Sequence, residues 1–145
     1  VQSFPASWIF WALLSAGFAA LTAIFAKLGV TNVNSDFATF LRTLVIVVVL
    51  ACILAAFHEF QPLATISPRT YLFLALSGLA TGASWLCYFR ALKIGDAARV
   101  APIDKLSTVL VALFGAVFLA ERLSPLNWLG VACIAAGALL VAYQG

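Results

Sequence analysis

Charge is scarce in this sequence. Charged residues fill 9% of its 145 positions and hydrophobic ones 65%, where a soluble domain carries about 25% charged residues. That is too little polar surface to cover a water-soluble globule, so a soluble fold is excluded. Histidine is nearly absent: the single one, His58, falls in a connecting stretch. With no nucleophile–base arrangement and no cluster of metal ligands, the chain is expected to be no enzyme and to hold no metal or cofactor. No GxxxxGK[ST] stretch occurs, which excludes ATP as an energy source within the chain. The formal net charge is only +3, and no basic run exists to track phosphates, which excludes nucleic acid as a partner. The three cysteines, Cys52, Cys87 and Cys133, each lie inside an apolar run. They lack ligand spacing and are expected to be small packing residues. No basic segment precedes the first apolar run, so that run is expected to remain as a helix rather than be removed as a signal peptide.

What the sequence has in quantity is long apolar runs. Five of them cover about 8–26, 37–57, 71–92, 97–119 and 126–143, each near the ~20 residues a helix needs to cross ~30 Å of hydrocarbon. Without water to satisfy backbone groups, helices are the form such runs take. The expected fold is therefore all-α: a polytopic membrane protein, a bundle of five transmembrane helices forming a single domain over 1–145. The connections carry turn and cap chemistry. Ser35 or Asp36 is expected to cap the second helix, Ser67-Pro68 the third, Asp96 the fourth (after a C-terminal Gly95) and Ser124-Pro125 the fifth. Rows of small residues recur at four-residue steps: Ala12, Ala16 and Ala20; Gly78 and Gly82; Ala112, Ala116 and Ala120; Cys133 and Gly137. In lipid such rows let helices approach closely.

Orientation follows from the cations. Lys27, Arg42, Arg90, Lys93, Arg99 and Lys105 lie towards the side that holds the first and third connections and the C-terminus. Only Arg69 and Arg122 lie towards the other side, where Trp8, Trp11 and Trp128 suit an aromatic belt. The positive-inside rule then places the C-terminus in the cytoplasm and the N-terminus outside, in a cytoplasmic (inner) membrane with lipid all round.

Some charges lie deep in the spans. Counted from Asp96, Asp104 is ~12 Å into its helix; counted from Asp36, Arg42 is ~9 Å into its own, at 1.5 Å per residue. Both helices start from the same side, where Arg90 and Lys27 also end up. A charge at a helix centre costs roughly 2.5–3.5 kcal/mol and normally faces a bundle interior or a wet cavity with a partner. Asp104 is expected to pair with Arg42 or with Lys105, while the remaining cations line a cavity or, for Lys27, Arg90 and Lys105, snorkel to headgroups. Asp104 and Lys105 stand ~100° apart on a helix, so they are not expected to point the same way. Pro102, within the first turns of that helix, deletes a backbone hydrogen bond and is expected to bend it. Ser77, Thr81, Ser84 and Tyr88 share one face of the third helix; Ser15 and Thr22 share one on the first, and Thr108 follows Asp104. Trp85 is either a packing residue or a platform for a substrate.

The stretches YFRALKIG, ARVAPIDKLS and FLAERLS, with AALTAIFAKLGV and FATFLRT earlier, make the chain similar to the EamA domain of the drug/metabolite transporter superfamily. The likeness extends over essentially the whole chain, and the short single-domain, five-helix bacterial and archaeal type resembles it most. The resemblance implies a carrier working by alternating access, in which relatives with two inverted repeats enclose a central cavity. It implies Ser15, Thr22, Ser77, Thr81, Ser84, Trp85, Tyr88 and Asp104 as candidate lining positions, and for Glu121 a turn or cap role. Because this chain has one repeat, the resemblance also implies a dimer, most simply a homodimer. An antiparallel pair, the preferred arrangement, reproduces ten helices; a parallel pair would satisfy the charge bias. The expected function is secondary transport of a small polar or anionic metabolite. The alternatives are a flippase or flippase subunit for a lipid-linked phosphate or sugar, and a non-transporting partner subunit.

Overall fold

The structure, a computed structural model, describes residues 8–143. Among them the chain forms only helices: α1 (Trp8–Gly29), α2 (Ser35–Phe57), a 3-10 turn (Leu63–Thr65), α3 (Pro68–Ile94), α4 (Ala97–Asp104), α5 (Leu106–Phe118) and α6 (Pro125–Ala142). Five stretches are long and apolar enough to cross a membrane: α1, α2, α3, α4 with α5, and α6. The chain is an all-helical, multi-pass membrane protein. Its apolar side chains confirm the solvent for which it is built. Leu14, Leu44, Leu79, Phe114 and Leu140 are among many large apolar residues that stay exposed, an outer surface that water would not tolerate and lipid does.

Several helices run past the apolar segments that announced them. α1 continues to Gly29, α2 begins at Ser35, and α3 extends from Pro68 to Ile94. An apolar run marks the thickness of hydrocarbon, whereas backbone hydrogen bonds continue through the polar residues at each end. The fourth expected helix, over 97–119, is a larger departure. It is two helices, α4 and α5, interrupted at Lys105. Leu119 and Tyr143 are C-caps rather than helical residues.

The caps are partly those expected. Ser124 accepts from the Asn127 N–H at 3.2 Å, with Pro125 opening α6; Ser67 accepts from the Thr70 N–H at 3.2 Å. At α2 the cap is Asn34, not Ser35 or Asp36: its Oδ1 accepts from the N–H groups of Asp36 and Phe37 at 2.9 and 3.1 Å. Asp96 precedes α4 in extended conformation but makes no side-chain cap bond. Its carbonyl instead takes the Arg99 and Val100 N–H groups at 3.0 and 2.9 Å.

The chain divides into two compact units, one of residues 26–93 and one of residues 8–25 with 94–143. In the first, the buried residues Ala26, Val30, Thr39, Phe89 and Leu92 all fall where α1 gives way to α2 and where α3 ends. In the second, α4 and α5 both pack on α6, with Gly115 and Ala138 buried. The small-residue rows do less within the chain than expected. A Cβ built on Gly78, Gly82, Gly130 or Gly137 would meet nothing within 4 Å. Cys52, Cys87 and Cys133 are exposed rather than packed, and Ala120, the last of its row, lies beyond α5 with φ 55°.

Candidate functional site

Within residues 26–93, four cations gather at one end, and three of them are held by oxygen. Because Asn34 caps α2, the Asp36 carboxylate is free to turn outward from the helix end. Arg90 grips it with a fork: Nε donates to Oδ1 at 2.9 Å and Nη2 to Oδ2 at 2.6 Å. Lys27 donates from Nζ to the Leu92 carbonyl at 2.7 Å. That carbonyl is in the last turn of α3, where helix acceptors lack intrahelical donors and a cation is favoured. Lys93 donates to the Val33 carbonyl at 2.7 Å. Three long side chains thus tie the α1–α2 connection to the C-terminal end of α3. The Arg90–Asp36 pair is open to solvent, with 61% and 44% of the two side chains exposed. It fixes geometry more than it stabilises.

The fourth cation is bonded differently. Arg42, half-buried on α2, holds its guanidinium over aromatic rings. Its Cζ is 3.8 Å from the Trp85 ring centroid and 5.7 Å from that of Phe89. Trp85 and Phe89 are four residues apart on α3 and therefore neighbours on one face. Tyr88, half-buried beside them, interacts electrostatically with Arg42. Among the described residues, Arg42 makes no hydrogen bond and no ion pair. Below it, Thr39 and Thr43 turn their hydroxyls back to their own helix, onto the Ser35 and Thr39 carbonyls at 2.9 and 2.8 Å.

In the other unit, the polar feature is the joint between α4 and α5. Pro102 has no N–H to give the Ala98 carbonyl, and its ring crowds that carbonyl. Three residues later the helix breaks. The Lys105 N–H donates to the Ala101 and Pro102 carbonyls at 3.2 and 3.1 Å. The Lys105 carbonyl takes both the N–H and the hydroxyl of Thr108, at 3.0 and 2.6 Å. Of the two partners proposed for Asp104, Lys105 is the one seen, with its Nζ 3.5 Å from Oδ2. The ~100° separation argued from an unbroken helix does not keep these side chains apart. The chain turns at Lys105, and its long stem reaches back.

The other candidates are distributed as follows. Ser77, Thr81 and Ser84 are exposed on α3, and Thr81 donates to the Ser77 carbonyl at 2.9 Å. Ser15 is exposed and Thr22 half-buried on α1. Glu121 lies in the turn after α5. Its N–H donates to the Gly115 carbonyl at 3.1 Å, and its Oε2 is 2.7 Å from where a Cβ on Gly115 would stand. A side chain at 115 would push this carboxylate away from the helix.

Two features of the cationic end were missed from sequence. Read as a cap, Asp36 does not present itself as the anion for Arg90. Asn34 precedes Ser35 and can bond the backbone ahead of it just as well. The NSD order itself held the signal: with asparagine in the capping place, the aspartate two residues on is released for another partner.

Comparison with known proteins adds the following. The family described as the EamA-like transporter family matches residues 6–143. A protein of Sinorhizobium sp. named "Uncharacterized transporter in cobO 3'region" is 70% identical over 136 residues, covering 94% of this chain and 96% of that protein. No solved structure matches.

Proposed function

This chain belongs to the EamA-like transporter family and is a membrane transporter, and from that premise we propose that it is a secondary carrier of a small polar or anionic metabolite, working by alternating access as a homodimer. The observation that carries this reading is Arg42, a cation inside a span that meets aromatic rings and, among the described residues, makes no hydrogen bond and no ion pair. Intramembrane cations are costly, and they mark substrate pathways when no structural partner occupies them. The α4–α5 joint supports the same reading, because a broken helix with a polar pair at the break supplies both a bend and a wet surface. Substrate-lining roles for Ser15, Thr22, Ser77, Thr81, Ser84, Trp85, Tyr88 and Thr108 belong to this proposal, as do the cytoplasmic membrane and the cytoplasmic C-terminus.

Uptake into proteoliposomes, screened over organic anions, amino acids and sugars, tests it directly. At least one solute is expected to enter faster than into protein-free vesicles, and Asp104→Asn is expected to slow that uptake about tenfold or more. A screen without any transported solute would remove the carrier reading.

The dimer rests on the open glycine rows. Room for a Cβ at Gly78, Gly82 and Gly137 leaves those faces available to a second copy, with the antiparallel pair preferred because it sets two copies of this repeat in inverted orientation. Gly82→Ala adds a Cβ that meets nothing within 4 Å among the described residues, so the chain is expected to fold unchanged. The dimer fraction in mild detergent, read by light scattering, is expected to fall several-fold. An unchanged dimer fraction would place the contact elsewhere.

A further inference from the structure

We infer that Arg42 and Trp85 form an oxyanion subsite that selects carboxylate- or phosphate-bearing ligands. This deepens the carrier reading and rests on it for its place in transport, though not for its binding chemistry.

The inference starts from a difference among neighbours. Lys27, Arg90 and Lys93 occupy the same end of the same unit as Arg42, and each has an oxygen partner at 2.9 Å or less. Arg42 has none among the described residues, although a guanidinium carries five N–H donors. Its Cζ lies over the Trp85 ring at 3.8 Å, a cation–π contact that holds the charge against the ring's face. Among the described residues no N–H of the guanidinium is spent on an oxygen acceptor. The cation is therefore held in place by a contact that uses none of its donors. That is the state in which a guanidinium accepts an oxyanion through two parallel hydrogen bonds. Lysine lacks both the plane and the fork.

The carboxylate of this unit's cationic end does not compete for it: Asp36 is already gripped by Arg90. Trp85 therefore has a definite part. It holds the guanidinium against its ring and shields that side of the cation from water, which strengthens a pair formed on the open side.

The shared ligand chemistry is an oxyanion, and it has two sources: a dissolved solute or a phospholipid headgroup. The test uses the full chain in nanodiscs, followed by tryptophan fluorescence and by calorimetric titration. Inorganic phosphate and succinate are the dissolved probes, with choline chloride as the control for ionic strength. In neutral phosphatidylcholine discs, phosphate or succinate is expected to give a saturable signal that choline chloride does not. Arg42→Gln is expected to weaken binding about a hundredfold and Arg42→Lys about tenfold. Trp85→Phe keeps a ring and is expected to abolish the fluorescence change while leaving calorimetric binding within about tenfold. If discs containing phosphatidylglycerol suppress the dissolved probes competitively, and do so only with Arg42 present, the same subsite takes a lipid phosphate.

Wild-type binding by Arg42→Gln, or no saturable response to either probe and no dependence on the anionic lipid, would overturn the inference. The variants' far-UV circular dichroism and elution volume must match wild type, and Arg42→Lys keeps the charge where Arg42→Gln fails to fold. Failure of the two readings is distinguishable. Oxyanion binding without uptake of any solute defeats the carrier and leaves the subsite. Uptake that is unchanged in Arg42→Gln defeats the subsite and leaves the carrier.

Discussion

Leu92→Ala is expected to destabilise the protein by about 2–4 kcal/mol, the range for truncating a buried leucine where the surroundings relax only in part. Leu92 is the most enclosed large side chain, 0% exposed, beside Val30 at 1% and Phe89 at 3%. Leu92 and Phe89 lie in the last turns of α3 and Val30 just past the end of α1, so the cavity would open among the few enclosed residues of this unit. The substitution keeps the backbone carbonyl that accepts from Lys27, which separates packing from hydrogen bonding. Leu79→Ala on the same helix removes the same atoms from a residue 72% exposed. It is expected to change stability by no more than about 0.5 kcal/mol. Unfolding in mixed micelles on addition of dodecyl sulfate measures both. Equal losses would mean that lipid, and not the chain's own packing, surrounds position 92.

The five spans were legible because their cause is local. Hydrocarbon imposes length and apolarity on each segment separately, so counting residues finds them without knowledge of neighbours. The same logic explains where the reading stopped. Cys133 and Gly137 on α6, or Gly78 and Gly82 on α3, have the spacing of a close helix contact. A spacing does not say which body makes the contact, and among the described residues a Cβ on any of those glycines would meet nothing within 4 Å. The break at Lys105 was half legible. Pro102 announced a bend, but the position of the break also depends on how the Thr108 hydroxyl and N–H gather the Lys105 carbonyl, a choice made by local geometry.

The candidate site was legible as a set of charges and not as a set of partners. Arg42, Arg90 and Lys27 stood out because each is costly in a span. Their fates diverged through residues that carried no such flag. Asp36 and the Leu92 carbonyl satisfied two of them, while an indole ring received the third. A main-chain carbonyl is invisible in a list of side chains. A tryptophan in an apolar run reads equally as packing and as platform. Here Trp85 is a platform for an arginine of its own chain, which is a third possibility that lies between those two.

Pro102→Ala is expected to stabilise the joint and slow transport by tenfold or more. The substitution restores an N–H that can reach the Ala98 carbonyl and removes the ring that crowds it, a change worth up to about 3 kcal/mol in a helix interior. With that bond made, α4 and α5 are expected to run on as one helix across Lys105. The two pieces are 8 and 13 residues long, or about 12 and 20 Å at 1.5 Å per residue, so the break divides the span rather than ending it. A continuous helix would point Asp104 and Lys105 ~100° apart, loosening the 3.5 Å pair between these partly exposed side chains. Alternating access by a span of this kind needs the two pieces to change angle, and the substitution removes the place where they do. Amide hydrogen exchange over 98–108 and uptake of the best solute from the vesicle screen should move in opposite directions, protection rising as uptake falls. Rising protection with undiminished uptake would show that the joint is a by-product of proline and takes no part in transport. Unchanged protection would show that the Thr108 contacts, and not Pro102, hold the helix open.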